Sequence, residues 1–105
     1  MASLDVFSNP DRGSQAIMPY LLEVQSSLLD TLPSCIVVPL AHPETVKALP
    51  ILRLNPYVII NDIRLIALTQ DLASVPRRLL NDPISNLAPQ RDEILAALDL
   101  LFTGI

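Results

Sequence analysis

The sequence predicts a mainly β protein that ends in one C-terminal α-helix. Three observations carry this. Ten prolines against two glycines cut the chain into short pieces, which excludes long regular elements before the C-terminus. The pieces between prolines are rich in Val, Ile and Leu, a strand composition. Beyond Pro89 the apolar residues recur with a helical period instead.

Residues 4–8 read as the first strand. Residues 9–19 read as an exposed loop, because Pro10, Gly13 and several polar residues fall there. Residues 20–25 form a second strand. Residues 26–33 fit neither class, since Leu28 and Leu29 stand among turn formers. A buried strand follows over 35–40 and ends near Pro39. His42-Pro43-Glu44 then starts a turn or short helical piece that runs through Leu49. Residues 57–60 and 63–68 flank Asn61-Asp62, and two apolar runs joined by two turn formers predict a β-hairpin. Residues 70–78 return to loop character around Pro76.

In the terminal segment Ile94, Leu95, Leu98, Leu101 and Phe102 fall on one face of a helix. Pro89 suits the first turn, where a missing N–H costs nothing. Asp92 and Glu93 lie early, where the helix dipole favours negative charge. Gly104 is a natural stop. No repeat or linker interrupts the 105 residues, so one domain is expected.

Composition narrows the function. Half the residues are hydrophobic and only 17% are charged, so part of the apolar surface is expected in a subunit interface. A net charge of −4, with no basic run longer than Arg77-Arg78, argues against nucleic-acid binding by bulk charge. Cys35 is the only cysteine, so no intrachain disulfide forms, which suits a reducing cytoplasm. Its apolar neighbours make it a small core residue. The first five residues lack the regions of a signal peptide, and no apolar run approaches the ~18 residues that span a bilayer. A soluble cytoplasmic protein, without a membrane partner, is expected.

The catalytic inventory is thin. His42 is the only histidine and reads as an exposed turn residue. Without a second histidine or a cysteine cluster, a zinc site lacks ligands. Gly13 and Gly104 cannot build a phosphate loop. Asp5 and Asp11 read as solvated acids. Arg64, Arg77 and Arg78 read as strand-edge arginines that keep the protein soluble and block edge pairing. A metal-free ribonuclease would instead use such an arginine on the phosphorane. No enzyme activity, metal or cofactor is expected. At the C-terminus an apolar helix face runs to Phe102 and is followed by Thr103-Gly104-Ile105. Ile105 either tucks into its own core or docks on a partner, and the helix suits a helix-in-groove contact.

Three stretches resemble the CcdB family, the toxins of ccd toxin–antitoxin modules. Glu23-Val24-Gln25-Ser26-Ser27-Leu28-Leu29-Asp30-Thr31 is similar to the family's Val-Gln-Ser followed by two aliphatics and Asp. Val38-Pro39-Leu40 resembles its Val-Ile-Pro-Leu strand. Ala73-Ser74-Val75-Pro76 and the ending Phe102-Thr103-Gly104-Ile105 complete the set. Order, spacing and total length agree, and the resemblance spans nearly the whole chain. The chain departs from the best-known pattern at Thr103, where Trp stands, and at Asp99, where Asn stands.

The resemblance implies an SH3-like barrel of the CcdB, Kid and MazF type, assembled as a homodimer. It implies that the dimer wedges into the opened interface of the A subunit of DNA gyrase. There it would trap the enzyme on cleaved DNA, with no covalent chemistry of its own. It also implies neutralisation by a disordered CcdA-like antitoxin tail, with toxin and antitoxin together repressing their operon, so that DNA is met only indirectly. Family positions that contact gyrase match Leu28, Leu29, Asp99, Phe102, Thr103, Gly104 and Ile105. The antitoxin groove lies near an N-terminal loop that matches Ser8, Asn9, Asp11, Arg12, Gly13 and Ser14. Two other readings stay open: a Kid- or MazF-like endoribonuclease, and a degenerate toxin that only binds its antitoxin and regulates an operon.

Overall fold

The computed structural model describes residues 3–46, 50–51 and 53–104. The strands are β1 (Asp5–Ser8), β2 (Tyr20–Glu23), β3 (Ser34–Ala41), β4 (Tyr57–Ile60), β5 (Ile63–Ala67), β6 (Ala73–Pro76) and β7 (Ser85–Asn86). Helix α1 (Arg91–Thr103) follows them. All strand pairs are antiparallel, in the order β4-β5-β3-β2-β1-β7, with β6 beside β3. The sheet curls into a nearly closed barrel, so the mainly β class with one terminal helix is the observed one.

β3 is the spine. One edge pairs with β2, in the register Leu22↔Val38 and Glu23↔Val37. The other edge changes partner along its length: Ser34–Val37 pair with β6, whereas Leu40 and Ala41 pair with β5. Pro39 falls in the gap between those partners, where its carbonyl accepts a 2.9 Å bond from the Leu68 amide. A residue without a backbone donor is tolerated at such a break, so the strand expected over 35–40 runs past Pro39 to Ala41.

Alternation along β2 and β3 sends side chains to two cores. Leu22, Val38 and Leu40 enter the main core with Leu4, Val6, Val58, Ile60, Leu65, Leu87 and Ile94. Leu21, Cys35 and Val37 enter a smaller one on the opposite face, against Val75 and Leu80. With apolar residues on both faces, these segments carry no polar alternation.

The hairpin forms as expected. Asn61 and Asp62 adopt φ of 51° and 66°, the paired left-handed conformation of a type I′ turn, which short polar side chains accept. β4 is the end of the sheet order, and a side chain covers its edge. Gln90 Nε2 donates to the Tyr57 carbonyl at 2.8 Å, and the Ile59 amide donates to Gln90 Oε1 at 3.4 Å. The side-chain amide stands in for a neighbouring strand along that edge.

Several expectations need correction. Residues 73–76, read as loop, form β6; their side chains are mostly exposed, so pairing with β3 rather than an apolar pattern makes them a strand. Leu4, assigned to the first strand, precedes it in a left-handed conformation (φ 57°) with its side chain buried. The second strand stops at Glu23, before residues 24 and 25. The piece after His42 is a 3-10 turn, Pro43–Thr45; residues 47–49 of the predicted piece lie outside the described residues. Pro89 sits in a 3-10 turn, Ala88–Gln90, that leads into α1. On α1 itself Ile94 and Ala97 are buried and Leu98 packs on the core, but Phe102 leaves the predicted apolar face for solvent. Gly104 ends the helix left-handed (φ 74°), its amide bonded to the Leu100 carbonyl.

Candidate functional site

The tip of α1 holds one large apolar side chain in water. Phe102 is 69% exposed, and Asp99, Thr103 and Gly104 are exposed beside it. The Thr103 hydroxyl donates to the Asp99 carbonyl at 2.6 Å, which ties the last turn to itself. Ile105 lies outside the described residues.

A second apolar feature is the 3-10 turn Ser27–Leu29. Leu28 is 86% exposed and Leu29 is also exposed. The turn is framed rather than loose. Ser26 Oγ caps it by accepting from the Leu28 amide at 3.2 Å. Gln25 Nε2 donates to the Leu29 and Ser34 carbonyls, and its Oε1 accepts from the Ile36 amide, each at 3.3 Å. One side chain thereby fixes the turn to β3. α1 packs chiefly against the turns Thr69–Asp71 and Ala88–Gln90. Among the described residues no extensive contact joins its tip to the Leu28 turn, so a single copy carries them as two separate features.

In the N-terminal loop the structure brings Asn9, Asp11 and Ser14 together. Asn9 is buried; its Nδ2 donates to Ser14 Oγ (3.0 Å) and the Met18 carbonyl (2.8 Å), and its Oδ1 accepts from the Asp11 amide (2.9 Å). Ser14 Oγ donates to Asp11 Oδ2 at 2.7 Å. Ser8, Arg12 and Gly13 stay outside this network, exposed. A cleft of about 310 Å³ lies beside the loop, lined by Asn9, Pro10, Asp11, Leu21, Val75 and Leu79.

Residues 3–104 match the protein-family model described as CcdB protein. The chain belongs to the CcdB family. The match contains every candidate residue except Ile105, and the family supports a toxin of a toxin–antitoxin module.

In this CcdB chain one buried ion pair is a feature that sequence reading missed. Glu23 is buried on the small-core face, where Arg77 Nη2 donates to its Oε2 at 3.0 Å and Ser3 Oγ to its Oε1 at 2.8 Å. Arg77 is therefore not a free strand-edge cation; its side chain is only 28% exposed. Burial alone would raise the Glu23 pKa, but the bonds from Arg77 and Ser3 outweigh it and hold the carboxyl below its ordinary value. The same pairing raises Arg77. Burial, then the Glu23 carboxylate, pushes the Cys35 thiol up to about 12, so it stays protonated and unreactive. The available signal was alternation: Glu23 lies two residues after Leu21 and so points to the same face.

His42 is half-buried, its Nδ1 3.9 Å from Glu44 Oε1. Among the described residues, no three His, Cys, Asp or Glu side chains gather as a metal site. No described helix is long and apolar enough to cross a membrane.

Proposed function

We propose that this CcdB family toxin binds the A subunit of DNA gyrase as a homodimer and traps the enzyme on cleaved DNA. A CcdA-like antitoxin neutralises it, and the work is done by binding, without catalysis. The observation that carries this reading is the exposure of Leu28 and Phe102 on hydrogen-bonded frames. Large apolar side chains held in water gain roughly 25 cal/mol per Å² when a partner covers them. Thr103 replaces the family's Trp, which leaves Phe102 as the aromatic of the tip and the natural anchor. In a two-fold dimer each tip is present twice, which suits a two-fold target. The antitoxin occupies the cleft beside Asn9 and Asp11, where apolar walls adjoin an ordered polar loop.

The pairing of Arg77 with Glu23 weighs against an endoribonuclease, since that guanidinium already has a carboxylate partner. The test is a plasmid-cleavage assay with gyrase and ATP, quenched with detergent. Linear DNA should accumulate with the wild-type protein and fall sharply with Phe102→Ala or an Ile105 deletion. If the wild type neither induces cleavage nor binds the A subunit of gyrase, the reading fails, and a regulator that only binds its antitoxin takes its place.

A further inference from the structure

A second cleft, of about 340 Å³, lies between α1 and the segment that leads into β4, lined by Arg53, Pro56, Tyr57, Glu93 and Ala96. It is distinct from the gyrase and antitoxin surfaces: Glu93 and Ala96 belong to the first half of α1, whereas Phe102 is in its last turn. Pro56, Tyr57 and Ala96 give it an apolar floor between the charged Arg53 and Glu93, and its backbone is braced, because Gln90 holds the Tyr57 carbonyl. The volume is ample for a large aliphatic or aromatic side chain with the backbone beside it.

Charge indicates what surrounds that side chain. In a chain of net charge −4, two arginines gather here. Arg53 lines the cleft, and the Arg64 guanidinium lies 4.2 Å from the centre of the Tyr57 ring. Neither pairs with a carboxylate among the described residues. The Tyr57 ring face lies against one side of the exposed Arg64 guanidinium, whose N–H donors can still meet an acid. Ile59 pairs with Arg64 across the hairpin and is 53% exposed, so it extends the apolar surface on that face. Glu93 on the α1 side repels any acid there and suits a peptide N–H, which leaves ligand carboxylates to the Arg53 and Arg64 side.

We propose that this cleft docks an extended, acidic segment of a partner protein, with a large apolar side chain in the pocket and flanking carboxylates on Arg53 and Arg64. The test uses full-length protein labelled with nitrogen-15 and two acetylated, amidated peptides, Gly-Asp-Leu-Glu-Phe-Gly and its counterpart with Lys in place of both acids. The acidic peptide should give saturable amide shifts at Tyr57, Arg64 and Ala96, and the Lys peptide should not. Arg53→Glu with Arg64→Glu should weaken binding about tenfold or more. Ala96→Leu, which fills the cleft without changing charge, should weaken it as well. The proposal is overturned if there is no saturation at millimolar peptide, if the Lys peptide binds equally, or if both variants retain affinity with native circular dichroism. Gyrase cleavage and Phe102 variants do not enter this measurement, so either idea can fail alone.

Discussion

Beneath β2 and β3 a carboxylate is buried, while at the Leu28 turn and the tip of α1 large apolar side chains stand in water. Each region reverses the usual placement of its residue type, but only one is compensated within the chain. Glu23 receives Arg77 and Ser3, so the desolvation of its charge is offset inside the fold. Nothing described covers Leu28 or Phe102, so their exposure is relieved only when a partner binds. The contrast teaches where to look for stability and where for function. Substitutions in the first region should act on folding, and those in the second on association.

The largest effect is expected where the internal compensation is removed. Arg77→Ala leaves Glu23 buried without its cation and should cost about 3 kcal/mol. Urea unfolding checks this; a loss below a few tenths of a kcal/mol would mean that water replaces the arginine freely. A smaller effect follows from pH. The Glu23 carboxyl titrates below its ordinary 4.5 in the fold, so its contribution is fully present above about that pH and is lost as pH falls through the lower folded value. The stability of Glu23→Gln should therefore depend less steeply on pH between about 5 and 3 than that of the wild type. Thermal melts across that window decide it, and parallel curves would assign the acid dependence to other carboxylates. The smallest stability effect belongs to the exposed region. Leu28→Ala and Phe102→Ala should each stay within about 0.5 kcal/mol of wild type, because neither side chain is buried in the free protein. A larger loss would show that these residues serve the fold, and the contrast between the regions would collapse.

Legibility differed between the same two regions. The Leu28 turn stood out only as leucines among turn formers, with Leu28 and Leu29 singled out by the family resemblance, and the tip of α1 was marked by an apolar face running to the helix end. The Glu23–Arg77 pair joins residues 54 apart in sequence, and neither looks unusual beside its own neighbours. Phe102 lay on the correct helical period but on the wrong side of the burial boundary. The period states which residues share a face, whereas the width of the buried stripe depends on what packs against it.

By itself the sequence determined the mainly β class, the hairpin at Asn61-Asp62, the terminal helix and its Gly104 stop. Each rests on the conformational preferences of neighbouring residues and on short apolar periods. Tertiary structure alone decided that residues 73–76 become a strand, that Gln90 covers the β4 edge and that Arg77 turns inward. These features depend on backbone edges and buried acceptors supplied by distant segments, and no local preference encodes a partner that arrives only when the chain folds.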